Sequence, residues 1–407
     1  MTENELSQLA PSEKYDLILG DTSFNLTNKI WDFAEKWGET KKWGFLSSID
    51  IPDGYRIPKA SKLIAFWEGI CHGWALAAGT YPRPEKSVQV LLANGKKVFF
   101  YPDDIKALVS LMYSNSVLQS NVLVEGYRCN EKNLKRDEFG RNIDRLPTKS
   151  GEGILPRCAD VHPAVWHASV INLIGVQGRA IVAEIDANAT VNNHPMSGYK
   201  FNWFNPATGD IGDATNSILD LKNYNDPYKS ARNPQAKKLT GVEMEMIVID
   251  WVTPKENLVN GPEDDKFKTK KFIYDLELDH LGNIVGGQWR AERVVKRYNL
   301  LSKKVKIPEI KHPDFFWAAP KNYKKYFKPL NIESWDGNGP VPVSWKAPAH
   351  AAHAFTYHMT HDLGFDEKCT VLRIKGKGTL EVPCGFKYPA PQPLINVVDQ
   401  LVKMSVE

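Results

Sequence analysis

The stretch FWEGICHGWALAAG, residues 66–79, decides how the rest of the chain is read. After Gly69, a run of small and apolar residues begins at Cys71 and is closed by Gly79 and the prolines Pro82 and Pro84, which predicts a short helix. Cys71 then sits in the first turn, where the positive end of the helix dipole favours a thiolate. A buried, inert core cysteine fits the same stretch equally well. A chemical reading therefore needs a proton acceptor and an orienting group from elsewhere in the sequence.

The second informative stretch is WHASVINLIGVQGRAIVAEID, residues 166–186. Its arms, His167 to Ile174 and Arg179 to Asp186, are joined by Gly175-Val176-Gln177-Gly178 and read as a hairpin. If Ile174 faces Arg179, counting outward pairs His167 with Asp186, and alternation by twos puts both side chains on one face. A cysteine at a helix start, a histidine at the start of a strand and an acid at the end of its neighbour follow the chain order of papain-like thiol enzymes. The expected triad is Cys71, His167 and Asp186. The rival base is His162, in a loop before Pro163, with Asp160 as its support. His72 points to another side of the predicted helix and reads as a bystander.

Five cysteines occur in the chain, and four of them form plausible pairs. Cys369 and Cys384 bracket KCTVLRIKGKGTLEVPC, a hairpin pattern; pairing Ile374 with Thr379 would set the two thiols opposite each other, within disulfide reach. Cys129 and Cys158 flank a charged loop-like stretch that a disulfide would clip, stabilising by roughly 3 to 4 kcal/mol in the chain-entropy model. Two reduced thiols are the alternative in a reducing compartment. Cys71 is left over in either case.

The bulk numbers narrow the function classes. The chain has 407 residues, 42% of them hydrophobic, enough for more than one core. Its 52 basic and 48 acidic residues give a net charge of +4, too weak a field to suggest nucleic acid or an anionic membrane. Lys266 to Lys271 and Lys303 to Lys306 read as solvated surface. No apolar window is long enough to span a bilayer, and the N-terminal MTENELSQLAPSEKYD lacks the pattern of a classical export signal. A cytosolic protein, a trimmed mature form and an effector exported by another route all fit.

Along the chain, residues 1–60 read as short helices and loops, and 61–265 as a catalytic core. VQVLLANGKKVFF predicts a hairpin at Asn94-Gly95, and DDIKALVSLMYSNS a helix capped by Asp103. Strand signals then dominate: HASVINLIG, GRAIVAEID, YKFNWFN, VEMEMIVIDWV, FIYDLELD and NIVGGQWR. A helical start feeding an antiparallel sheet is an α+β pattern. Residues 266–407 read as a β-rich C-terminal region, with a boundary near NGPEDDKFKTKK.

Cys71-His72-Gly73-Trp74-Ala75, Cys158-Ala159-Asp160-Val161-His162-Pro163 leading into His167, and Val191-Asn192-Asn193-His194-Pro195 with Gly198-Tyr199-Lys200 together resemble the elicitor-type transglutaminases, secreted acyltransferases of plant pathogens. Gly286-Gly287-Gln288-Trp289 and His312-Pro313-Asp314-Phe315-Phe316-Trp317 are similar to the same family. The resemblance implies a papain-like fold, Cys71 as nucleophile and export from the cell. The segment from Val191 is similar to the stretch of the family that plant immunity detects, and differs from it at several positions.

The chemistry read from these residues is acyl transfer. Cys71 attacks a glutamine carboxamide on a protein or peptide, ammonia leaves, and a primary amine resolves the thioester. Admission of water instead gives deamidation, so the pocket must be dry; Trp67, Trp74, Trp166 and Trp203 are the candidate walls, with ordinary aromatic core as the alternative. A cysteine peptidase or deamidase uses the same triad. A recognition or adhesion protein with vestigial catalysis is the rival from another class. The acyl chemistry needs no cofactor, and a calcium requirement is not readable from the sequence. In AHAAHAFTYHMTHD, His350, His353, His358 and His361 spread too widely round a helix to favour one metal ion, so no metal site is expected.

Overall fold

The computed structural model describes residues 1–28, 70–114, 123–126, 137–139, 161–185, 192–297, 310–319, 321, 327, 329–351, 370–374, 378–382 and 393–407. Two short helices, α1 (Glu3–Ser7) and α2 (Pro11–Ile18), precede α3 (Cys71–Thr80). The hairpin of β1 (Val88–Leu91) and β2 (Lys97–Phe100) turns at Gly95, whose φ of +80° suits glycine. Helix α4 (Pro102–Ser114) follows, and Asp104 rather than Asp103 closes its start by accepting the Tyr101 N–H at 2.8 Å.

Next come β3 (Leu123–Gly126) and α5 (Pro163–Ser169), which runs straight into a π-helix at Val170–Val176. The strands β4 (Ile181–Glu184), β5 (Asn193–Phe204), β6 (Ile211–Gly212), β7 (Leu219–Asp220), β8 (Lys238–Asp250), β9 (Lys266–Leu278), β10 (Ile284–Arg290) and β11 (Phe315–Ala318) complete the main sheet. The last elements are α6 (Lys346–Ala351), the hairpin β12 (Thr370–Ile374) and β13 (Gly378–Val382), and α7 (Pro393–Val406).

Nine strands form one antiparallel sheet in the order β10-β9-β8-β5-β4-β11-β3, with β6 beside β5 and β7 beside β8. With the helices around it, this is the expected α+β class. Alternate residues of a strand face opposite sides. Val182 and its register partner Trp317 belong to one hydrophobic core, whereas Ala183 and its partner Phe316 belong to a second core on the other face. Helices α1 to α4 and α7 contribute to the first core; Trp166, Val170 and Leu173 of α5 and the π-helix contribute to the second.

Besides the Asp104 cap, the structure departs from the sequence reading in four places. HASVINLIG is helical, so His167 is not on a strand and the cross-strand pairing with an acid does not form in that way. The reason is local: His162 caps the helix, accepting the Ala164 N–H at 3.3 Å, and Pro163 takes the first helical position, where its missing N–H costs nothing. The buried residues Trp166, Val170 and Leu173 then recur at helical spacing.

The expected boundary at 265/266 falls between β8 and β9, whose ladder runs from Lys238↔Leu278 to Asp250↔Lys266, so one sheet spans both sides of it. Within 266–407, α7 was not anticipated; its Leu394, Val397, Val398 and Leu401 are buried in the first core. The late hairpin pairs Ile374 with Gly378, one residue away from the register that sets Cys369 opposite Cys384. Cys129, Cys158, Cys369 and Cys384 themselves lie outside the described residues, as do Trp67, Asp160 and Asp186 and the side chains of the late histidine cluster.

Candidate active site around Cys71

Helix α3 forms because its ten residues are small or apolar and nearly free of charge, and because one side is trimmed for close packing. A Cβ on Gly73 would lie 2.2 Å from the Ser110 carbonyl oxygen of α4, and one on Gly79 would lie 2.1 Å from the Ala180 Cβ just before β4. Both glycines therefore hold α3 against its neighbours at distances that no other residue allows. The helix ends where Tyr81 turns to extended backbone before Pro82. Its N-terminus is aimed at the start of β5.

There Cys71, a free and partly exposed thiol, meets Asn193. Asn193 Nδ2 donates to Cys71 Sγ at 3.3 Å, and Trp317 Nε1 donates to Asn193 Oδ1 at 3.2 Å. An indole nitrogen only donates, so the amide atom it reaches is the oxygen, and the NH₂ must face the sulfur. Asn193 is 8% exposed, and its cross-strand partner Glu184, fully buried, stands on the same face. Glu184 accepts the Asn192 N–H, and its own carbonyl accepts the Asp314 N–H at 3.1 Å, tying β4, β5 and the approach to β11 together behind the thiol.

The histidines singled out in the sequence lie elsewhere. His167 is buried in the second core, its Nδ1 2.8 Å from the Tyr274 hydroxyl, with Phe201 and Trp203 packed on the ring. Burial pushes His167 down to about 4, so it is neutral at pH 7 and a weak proton acceptor there. Among the described residues no hydrogen bond joins Cys71 to His167 or to His162, the α5 cap. His72 is likewise lowered to about 4 by burial. The tryptophans divide between the faces: Trp74 packs on the first core, Trp166 and Trp203 on the second.

Asn193, Trp317 and Glu184 were not proposed as site residues from the sequence. The signal was present: Asn193 and Trp317 fall inside the motifs that carried the resemblance, and Glu184 lies two positions before Asp186 in the sequence. No group of three or more histidine, cysteine or acidic side chains able to hold a metal occurs among the described residues. Among the same residues, no helix is long and apolar enough to cross a membrane.

A family described as transglutaminase elicitor matches residues 56–325. This chain belongs to that family. The matched region contains Cys71, Asn193 and Trp317, and it ends before α7. Among solved structures, the crystal structure of the GP42 transglutaminase from Phytophthora sojae is similar at 21% identity and a TM-score of 0.47, covering 86% of this chain and 84% of that one. A comparison with curated proteins finds no match.

Proposed function

We propose that this transglutaminase elicitor family member is a protein-glutamine γ-glutamyltransferase with Cys71 as nucleophile. The observation that carries the reading is the free, partly exposed thiol at a helix start, held by an amide that Trp317 locks in one orientation. The thiolate attacks the glutamine carboxamide carbon, forming a C–S bond while the carbonyl pair moves to oxygen. Collapse breaks the C–N bond, and ammonia leaves with the proton taken from the thiol. A lysine or other primary amine then displaces the sulfur, giving an isopeptide bond and restoring the thiol.

His167 and His162, with Asp186 and Asp160 as their respective supports, are the proton acceptors the sequence offers; since neither is hydrogen-bonded to Cys71 and burial weakens His167 as a base, either one serves only if it reaches the thiol when substrate binds. Alkylation by iodoacetamide across pH separates them: the variant that loses reactivity near neutral pH, His167→Ala or His162→Ala, names the base. The family's description as an elicitor favours a second reading, recognition by a partner without turnover. Incubation with a blocked glutamine dipeptide and a biotin-tagged alkyl amine decides between them. Amine incorporation that vanishes in Cys71→Ala supports transfer, ammonia release without incorporation supports deamidation, and neither product supports the recognition reading.

A further inference from the structure

The donor set at Cys71 extends the acyl-transfer reading, on which this inference rests. Asn193 Nδ2 carries two hydrogens. One points to Cys71 Sγ, and the other has no acceptor among the described residues, although the side chain is 8% exposed. An amide hydrogen without a partner on a side chain this little exposed is costly, and here it sits beside the free thiol of Cys71. Close by is the backbone N–H of Cys71, a helix-start donor that no intrahelical carbonyl reaches.

We infer that Asn193 is a catalytic residue that donates from Nδ2 to the acyl oxygen of the substrate carboxamide, with Trp317 as its positioning residue. When the C–S bond forms, the carbonyl oxygen on the attacked carbon takes up negative charge beside the sulfur, and a donor about 3 Å from that oxygen stabilises it; the Asn193 amide, already at the sulfur, and the helix-start N–H of Cys71 are the donors at hand. Trp317 matters because its indole N–H holds Oδ1. Without it, the amide can turn and present its oxygen, an acceptor, to the same charge. The substrate class follows: an acyl group with a free carbonyl oxygen, such as an unbranched carboxamide.

The test measures kcat and KM for incorporation of the tagged amine into the blocked glutamine dipeptide, alongside iodoacetamide alkylation, which develops no oxyanion. Asn193→Ala is expected to lower kcat about 100-fold with KM little changed, a loss at least about tenfold larger than the accompanying loss of alkylation, which reports only the missing donor to the Cys71 sulfur. Asn193→Asp keeps an acceptor for Trp317 but lacks the donor, so it shows the same kcat loss; because it also sets a carboxylate opposite Glu184, the urea unfolding of both variants is compared with wild type to separate a folding defect from the lost donor. Trp317→Phe is expected to lower kcat about tenfold, again without moving KM. Wild-type kcat in both Asn193 variants overturns the assignment and leaves the acyl-transfer reading standing. Absence of incorporation and of ammonia release in the wild type overturns both.

Discussion

Asn193 shows how one side chain can be fixed by two unlike neighbours. Its oxygen is held by a donor-only indole and its nitrogen by a sulfur, so its orientation follows from the chemistry of the partners. His167 shows the opposite case, a titratable group placed where water is scarce. Burial lowers it from 6.5 to about 4, so as pH falls the unfolded chain takes up the proton first. Its contribution to stability is whole above about pH 6.5, is lost as pH falls through the interval down to about 4, and amounts to roughly 3 kcal/mol. Urea unfolding at several pH values is expected to show that slope, and His167→Gln is expected to flatten it. A slope unchanged in the variant would assign the acid sensitivity to other groups. At this scale the sequence was readable for Cys71, whose helix start was marked by Gly69 and a small-residue run. It was less readable for Asn193, because nothing local shows that Trp317, 124 positions away, will hold it.

Among the elements, α3 carries the nucleophile and its fit decides where the thiol lies. Gly73→Ala places a methyl against the backbone oxygen of Ser110, which cannot rotate away, so α3 must shift. The expected cost is about 1 to 3 kcal/mol in unfolding free energy, together with slower alkylation of Cys71. Gly20→Ala, with open space around its Cβ, strains only its positive φ and is expected to leave alkylation unchanged. The β1–β2 hairpin and most strands were legible because Asn94-Gly95 and the alternating runs state their period directly. HASVINLIG was not: its β-branched residues suggest a strand, while the cap at His162 and the Pro163 start impose a helix. The one-residue slip in the late hairpin has a similar origin, since Lys375-Gly376-Lys377-Gly378 allows more than one turn.

For the whole molecule, the sheet ties together stretches far apart in the chain, with β11 lying between β4 and β3 and presenting Trp317 to the site. The C-terminal helix is equally structural: α7 packs on α4 and supplies Leu394, Val397, Val398 and Leu401 to the first core. Its apolar spacing was visible in LINVVDQLV, but a proline-rich approach and a strand-rich neighbourhood masked it. Leu401→Ala is expected to destabilise the protein by about 2 to 5 kcal/mol, and a chain ending at residue 392 to lose its cooperative unfolding transition. A truncated chain that unfolds like the full one would show that the first core closes without α7. The central claim, a Cys71 thioester, has a direct test by intact-mass measurement after acid quenching of protein mixed with a blocked glutamine dipeptide in the absence of amine. The wild type is expected to gain the mass of the dipeptide less ammonia while Cys71→Ala gains nothing; a wild-type mass that never shifts contradicts the account.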